Sequence, residues 1–231
     1  MIGIIDSGLG GLSIARAIWQ RLPHQATSYL ADHEFFPYGN KSAKVINQRL
    51  KKIVDWLVER KCRLVVIACN TITATAIDQL RRGYDIPFIG TEPTVKQGGI
   101  VLATSTTAAS PRYRQLAKNY PIITLACPGL AEAIEHGRKI DSFLPRLPDN
   151  IDTVSLGCTH YILVKDKIQK IYGRQIKLID PSEAIAIQTV KVLRAPLNGP
   201  RRFYTTGSAV KAAKRATRLL QRRIIFTKCN L

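Results

Sequence analysis

The chain has 231 residues, of which 45% are hydrophobic and 22% are charged. This length and composition support one large domain or two small ones with buried cores, and they exclude a disulfide-stapled mini-protein and a disordered tail. No run approaches about 18 consecutive apolar residues, so no membrane span is expected. Because no basic segment followed by an apolar stretch opens the sequence, we expect a cytoplasmic protein.

The charge is strongly basic and unevenly distributed. Lys and Arg number 35 against 16 Asp and Glu, which gives a formal net charge of +19. The segment 191–231 contains eleven Lys or Arg and no Asp or Glu. This excess is typical of contact with nucleic acid, an anionic surface or acidic substrates, and equally of a solvated face. No nucleic-acid-binding motif accompanies it.

The cysteines and histidines argue against a metal site or a disulfide framework. The cysteine count is five, an odd number, and no two cysteines form a CxxC pair. The four histidines show no HxxxH or HExxH spacing, so no metal site is expected. The cysteines are therefore either buried small hydrophobic residues or reactive thiols.

The apolar pattern predicts alternating strands and helices in the first part of the chain. Short β-branched runs indicate buried strands, and apolar residues at helical spacing indicate amphipathic helices. The strands are expected at 3–6, 27–31, 63–68 and 87–90, and the helices at 11–22, 42–60 and 71–81.

The alternation then restarts and continues to the end. Strands are expected at 98–104, 121–126, 152–157 and 177–180, and helices after Ser110, over 128–136, from about Ile162 and over 182–194, where Ser182 is the expected N-cap. A strand at 201–206, a helix at 208–221 and a strand at 223–227 close the chain. Repeated βα units predict an α/β fold with mainly parallel sheets.

Two pairs of strand ends resemble each other, which indicates two similar halves. GIIDSG and GIVLATS are strands that end in small or polar residues, and VVIACNT and VSLGCTH are apolar strands that end in a cysteine. Ligands of open α/β sheets bind beyond the carboxyl ends of the strands. We therefore expect the functional site where these four strands end.

Cys69 and Cys158 are the main candidates for chemistry, since each lies at a predicted strand-to-helix junction. The free N–H groups of a helix start lower a thiol pKa and favour the thiolate. A single buried cysteine is more often structural, but two at equivalent positions favour a catalytic pair. Two thiols that face each other across a cleft are suited to removing a proton from one face of a carbon atom and returning one to the other.

Polar neighbours accompany both thiols. His160, two residues after Cys158, is either a satisfied surface residue or a group that shares a proton with the thiol. Asp6 is either a helix N-cap or an acceptor for a substrate ammonium group, with Ser7 donating to a carboxylate. Thr104 and Thr107 follow a predicted strand and are candidates for holding a carboxylate.

Three further features are candidates for a functional role, but each also has an ordinary structural interpretation. The loop of Pro37, Tyr38 and Gly39 is otherwise a turn, and Glu135 is otherwise a solvated helix residue. The glycines at 8, 10 and 11 fit neither G-x-G-x-x-G nor a P-loop, so we interpret them as allowing a sharp turn and close packing rather than nucleotide binding.

Together these motifs resemble the glutamate racemases, a family within the cofactor-independent aspartate/glutamate racemase superfamily. The matching segments, in family order, are IIDSGLGGLS, YLADHEFFPYGNKS, VVIACNTITATA, VLATSTTAAS, ACPGLAEAIEHG, LGCTHYILV and LID. The PYG triplet favours this family over its aspartate, hydantoin and arylmalonate relatives. The chain is shorter than is usual in the family, with compressed links after 91–96 and between 136 and 152.

The resemblance implies roles for individual residues. Cys69 and Cys158 are the expected acid/base thiols, assisted by Asp6, His160 and Glu135, although Glu132 lies one turn before Glu135. The substrate-holding residues that the resemblance implies are Asp6, Ser7, Pro37, Tyr38, Gly39, Asn70, Thr71, Thr104, Thr107, Thr159 and His160.

The resemblance also implies two similar three-layer α/β domains with the active site in the cleft between them. We expect residues 1–93 with 195–231 to form the first domain and 94–194 the second. The expected activity is cofactor-independent interconversion of L- and D-glutamate for peptidoglycan synthesis. An aspartate racemase and a basic nucleic-acid-associated or inhibitory protein remain as alternatives, the latter through a helix face with Lys211, Lys214 or Arg215, Arg218 and Arg222. A homodimer also stays open.

Overall fold

The structure is a computed structural model that describes residues 1–94 and 99–231. The first residue of the strand expected at 98–104 lies outside the described residues. Within the described part, no helix is both long enough and apolar enough to cross a membrane.

Strands and helices alternate along the chain as the sequence predicts. The strands are β1 (Ile2–Asp6), β2 (Thr27–Ala31), β3 (Leu64–Ile67), β4 (Phe88–Gly90), β5 (Ile100–Ala103), β6 (Ile123–Ala126), β7 (Thr153–Gly157), β8 (Lys177–Ile179), β9 (Arg201–Thr205) and β10 (Phe226–Lys228). The helices are α1 (Leu12–Arg21), α2 (Ala43–Glu59), α3 (Asn70–Gly83), α4 (Ser105–Ala109), α5 (Pro111–Lys118), α6 (Leu130–Glu135), α7 (Thr159–Leu163), α8 (Lys165–Tyr172), α9 (Ser182–Val192) and α10 (Ala209–Leu220).

The strands form two separate parallel sheets. The larger has the order β10-β9-β2-β1-β3-β4 and the smaller the order β6-β5-β7-β8. The prediction of an α/β fold with mainly parallel sheets is therefore confirmed. The C-terminal strands β9 and β10 extend the sheet that contains β1 to β4, whereas α9 packs against α1. The domain boundaries at 93/94 and 194/195 stay a prediction.

Each sheet has apolar side chains on both faces, which produces three layers. In β1, Ile2 and Ile4 join a cluster with α1, α9 and α10, whereas Ile5 joins a cluster with α2 and α3. In β5, Ile100 and Leu102 face α6, α7 and α8, and Val101 faces α5. This burial on both faces explains why the strands are continuous apolar runs. Each fully buried side chain of this size contributes about 1.5–3 kcal/mol.

Several helix boundaries differ from the prediction. The stretch after β5 forms two short helices, because the Thr104 and Ser110 side chains each accept an N–H bond and begin a new one. The helix expected from about Ile162 begins earlier, at Thr159.

The prediction that Ser182 caps α9 was wrong. The Asp180 carboxylate accepts the Ser182 N–H at 3.0 Å, while Ser182 Oγ has no hydrogen-bond partner among the described residues. Asp two residues upstream forms such a turn readily, and it takes the role expected of the serine. Arg222 also lies beyond the end of α10, so it does not share that helix face.

The carboxyl end of β2 is fixed by a buried ion pair between Asp32 and Arg49. The Arg49 guanidinium donates to both Asp32 oxygens, at 2.9 and 2.7 Å. Tyr38 and Thr206 also donate to this carboxylate. The pair therefore joins α2 and the segment after β9 to the centre of the larger sheet.

We expect Arg49→Gln to lower the free energy of unfolding by about 3 kcal/mol, because it leaves the fully buried Asp32 charge without its cation. Urea unfolding measures the change. Lys51→Gln is the control, since its salt bridge to Asp55 is exposed and contributes at most about 1 kcal/mol. Equal losses in the two variants would show that the buried pair has no special role.

Candidate active site

Cys69 and Cys158 lie at the carboxyl ends of central strands, one in each sheet. Cys69 connects β3 to α3, and Cys158 connects β7 to α7. Each is only 6% exposed. The two positions are topologically equivalent, and each thiol is followed directly by a helix.

Cys69 has surroundings that keep its thiol protonated. Its Sγ lies 3.9 Å from Ser7 Oγ, to which it donates. Burial raises the pKa of Cys69 to about 12, and the nearby Asp6 charge and Cys158 add to the effect. At neutral pH this group is therefore a proton donor, and the expectation that the helix start lowers its pKa was wrong for Cys69, because burial outweighs that effect.

Cys158 has different surroundings because His160 lies beside it. Cys158 Sγ is 4.0 Å from His160 Nδ1, and His160 Nε2 is 2.8 Å from a Glu135 oxygen. Burial alone would lower the pKa of His160, but the hydrogen bonds and charges of Cys158 and Glu135 outweigh it and raise the pKa well above its usual value. The result is an imidazolium directly beside the Cys158 sulfur.

Glu135 is the buried counter-charge of this arrangement. Besides His160 it contacts His33 Nε2 at 3.0 Å, and it accepts the Leu9 N–H at 3.1 Å. Burial would raise the pKa of Glu135, yet the two histidines lower it well below its usual range. Arg215 donates to the Glu135 main-chain carbonyl and lies 3.8 Å from its carboxylate. The structure thus places Glu135, and not Glu132, against His160.

Asp6 is the last residue of β1, and its side chain reaches the start of α7. Its carboxylate accepts the Gly8 N–H at 2.9 Å and the Thr159 hydroxyl at 3.0 Å. Burial raises its pKa, although the His160 charge and these hydrogen bonds oppose the rise. The bond from Thr159 connects the end of β1 directly to the start of α7.

A cluster of hydroxyls lies at the start of α3. Thr71 Oγ1 is 3.0 Å from Thr104 Oγ1 and 3.3 Å from Thr107 Oγ1, so the start of α3 meets the start of α4 here. Asn70 Nδ2 donates to the Thr91 carbonyl at 3.1 Å, and among the described residues Asn70 Oδ1 has no partner. The cluster supplies donors in a site that is almost fully buried.

The loop of Pro37, Tyr38 and Gly39 borders this cluster. The Tyr38 hydroxyl donates to Asp32 at 2.5 Å, so its proton is already committed to that carboxylate. The Gly39 carbonyl accepts the Thr106 hydroxyl at 2.6 Å. Pro37 leads into the short turn that begins at Tyr38. This loop therefore reaches the site through its backbone.

The glycine-rich loop after β1 makes a close approach to α7. A Cβ at Gly10 would lie 2.5 Å from His160 Nδ1 and 2.8 Å from the His160 backbone nitrogen. A Cβ at Gly11 would lie 2.6 Å from Asp6 Cβ. These glycines provide the space in which α1 and α7 meet around His160.

Sequence reasoning missed three groups around the site: His33, Asp32 and Arg215. His33 and Asp32 follow β2 within a quoted motif, so their position at a strand end was an available signal. Arg215 is 80 residues from Glu135 in the chain, and no local pattern indicates their contact. Among the described residues, no group of three or more His, Cys, Asp or Glu is arranged to hold a metal ion.

The fold and this site define an α/β protein in which two parallel sheets each contribute one buried cysteine to a polar junction. The model of the Asp/Glu/hydantoin racemase family matches residues 2–189. Glutamate racemases of Stutzerimonas stutzeri and Pseudomonas paraeruginosa are 37% and 40% identical, covering 92% and 83% of this chain and 91% and 81% of their own lengths.

The solved structures that resemble this chain are also glutamate racemases. A glutamate racemase isoform from Bacillus anthracis superposes with a TM-score of 0.87 at 30% identity, covering 100% of this chain and 97% of the other. The Escherichia coli glutamate racemase, solved with L-glutamate and the activator UDP-MurNAc-Ala, gives a TM-score of 0.86 at 28% identity, covering 98% and 96%. The chain belongs to the Asp/Glu/hydantoin racemase family. The resemblance that the motifs indicated is confirmed, and so is its consequence that the chain is an isomerase.

We expect Glu135→Gln to lower the pKa of His160, because the variant removes the carboxylate that stabilises the imidazolium while burial persists. In an NMR titration, His160 of the unaltered protein should stay protonated through neutral pH, whereas the variant should lose the proton within that range. Glu132→Gln is the matched control and should leave the His160 titration unchanged. If both variants titrate alike, Glu135 does not hold the imidazolium charge.

Proposed function

We propose that this protein is a cofactor-independent glutamate racemase that uses Cys69 and Cys158 as its two acid/base groups. The observation that carries the proposal is the contrast between the surroundings of the two thiols. Cys69 is held as a thiol by burial and the Asp6 charge, whereas Cys158 lies beside the His160 imidazolium. A two-base racemase needs one thiolate and one thiol at the same time.

The reaction follows from this arrangement. For L- to D-glutamate, the Cys158 thiolate takes the α-proton and the Cys69 thiol delivers its proton to the opposite face of the carbanion. The reverse direction exchanges the roles. Because each direction needs one ionised and one protonated thiol, the rate should follow a bell-shaped pH profile.

The polar residues around the thiols provide contacts for glutamate. Asp6 is proposed to accept the ammonium group, and the hydroxyls of Ser7, Thr71 and Thr159 to hold the carboxylates with backbone N–H groups at the start of α3. Further proposed contacts come from Pro37, Tyr38, Gly39, Asn70, Thr104, Thr107 and His160. Since these groups are mostly buried, the site must open for substrate to reach them.

Two relatives support glutamate as the substrate. The Escherichia coli structure contains L-glutamate, and a glutamate racemase of Francisella tularensis was solved with D-glutamate. The latter gives a TM-score of 0.82 at 27% identity. We infer the same substrate here, in the cytoplasm, where D-glutamate is used for peptidoglycan synthesis.

The direct test is circular dichroism of L-glutamate incubated with the purified protein in reducing buffer without pyridoxal phosphate. The signal should decay to zero, and D-glutamate should reach the same endpoint. Cys69→Ala and Cys158→Ala should each lower the rate by about 10²-fold or more, since each removes an acid/base group.

Cys62→Ala is the control for the cysteine variants, because Cys62 is buried in the core below α2, apart from the polar junction. It should retain turnover. A flat trace from folded protein would contradict glutamate as the substrate, and parallel assays with aspartate would then identify a sister activity. Full turnover in either catalytic variant would contradict the two-base assignment.

Isotope incorporation distinguishes two bases from one. In deuterated water, newly formed D-glutamate should carry deuterium at the α-carbon while the remaining L-glutamate stays mostly protiated. The reason is that the product receives its proton from a thiol that has exchanged with solvent. Mass spectrometry at low conversion measures this, and transfer of the original protium into the product would indicate a single shared base.

A further inference from the structure

A groove outside the thiol site lies between α6 and α10. Its volume is about 670 Å³, within the usual range for small-molecule sites. Lys211, Lys214 and Arg218 of α10 line one wall, and Glu132 and His136 lie opposite. Glu135 also lines this α6–α10 groove, so the groove adjoins the residue that anchors His160.

The three cations of α10 are arranged in a way that does not favour the helix itself. Lys211, Lys214 and Arg218 are spaced three and four residues apart, so they lie on one face, where like charges repel. Lys211 is also in the first helical turn, where a positive charge opposes the helix dipole. All three are exposed, and none forms a salt bridge among the described residues. This unfavourable arrangement is stabilised when an anion lies between the cations.

The length of the row indicates the kind of anion. Lys211 and Arg218 are seven residues apart, which is roughly 10 Å along a helix. That distance exceeds the size of a single phosphate and suits two or three linked phosphates. The groove is concave and is closed on its far side by α6, a shape that fits a small molecule better than the extended backbone of a nucleic acid.

Arg215 connects the groove to the site. It lies on α10 among the three cations, is 36% exposed, and donates to the Glu135 main-chain carbonyl. Its guanidinium is 3.8 Å from the Glu135 carboxylate. An anion in the groove therefore competes with Glu135 for this guanidinium.

We propose that the α6–α10 groove binds a small anion with two or more linked phosphates, which slows racemisation by drawing Arg215 away from Glu135. The proposal has a binding half, which is that the groove holds the anion, and an inhibitory half, which is that the anion slows racemisation. The binding half stands independently, whereas the inhibitory half rests on the proposed racemase function. The polyphosphate ligand is distinct in chemistry and position from glutamate at the thiols.

Isothermal titration calorimetry with inorganic pyrophosphate, at fixed ionic strength and without glutamate, tests the binding half. One site per chain is expected. The triple variant Lys211→Gln/Lys214→Gln/Arg218→Gln should weaken binding at least about tenfold. The control Lys44→Gln/Lys52→Gln/Lys118→Gln removes the same charge from exposed positions on α2 and α5, and should change the affinity less than about twofold.

Three results would overturn the binding half. They are no binding at millimolar pyrophosphate, equal weakening by the two triple variants, and tighter binding of a duplex oligonucleotide through the same three residues. The last result would assign the groove to nucleic acid. Calorimetry needs no turnover, so a protein that binds pyrophosphate but does not racemise glutamate would contradict the proposed function and not the site.

Steady-state kinetics test the inhibitory half. Saturating pyrophosphate should lower kcat several-fold with little change in KM, and the Lys211/Lys214/Arg218 triple variant should be insensitive. An increase in KM alone would place pyrophosphate in the glutamate site and contradict inhibition through the groove. Unchanged kinetics alongside measured binding would contradict the link through Arg215.

Discussion

The buried negative charge of Glu135 is the constraint on which the rest of the site depends. A carboxylate removed from water is stable only when cations and N–H groups surround it. Here the surrounding groups come from four parts of the chain: the loop before α1, the loop after β2, α7 and α10. Ionised Glu135 therefore brings elements of both sheets together, and the same contacts that satisfy it set the charge of His160.

The contrast between the two thiols follows from their neighbours rather than from their positions in the fold. Both cysteines end a buried strand and precede a helix, so the backbone offers each a similar environment. Cys69 lies near Asp6, a negative group that disfavours a thiolate, whereas Cys158 lies near a positive imidazole. Two equivalent positions thus have neighbours of opposite charge, an asymmetry that suits a reaction with one acid and one base.

Local patterns were sufficient to predict the sheets and the strand-end residues. Buried parallel strands are continuous apolar runs, and the ends of such strands carry Asp6, Cys69, Thr104 and Cys158. Contacts between distant segments left no local signal. His33 and Arg215 reach Glu135 across 102 and 80 residues of sequence. In the sequence, His33 fits an ordinary polar loop and Arg215 fits an ordinary solvated helix face. The cap of α9 was missed for a different reason. The side chains of Asp180 and Ser182 can both accept an N–H bond at a helix start, and the choice between them depends on the geometry of the loop.

The basic C-terminal segment also has a different meaning in the structure than its composition indicates. Its charge is not one uniform surface. Arg201 and Arg222 lie over the Trp19 ring at 4.9 and 5.5 Å, where stacking replaces an acidic partner. Arg215 is committed to Glu135. Apart from Arg215, the cations of α10 are the three that line the α6–α10 groove. Packing does not explain the charge of these three residues, and they lie beside Glu135, the residue that sets the charge of His160.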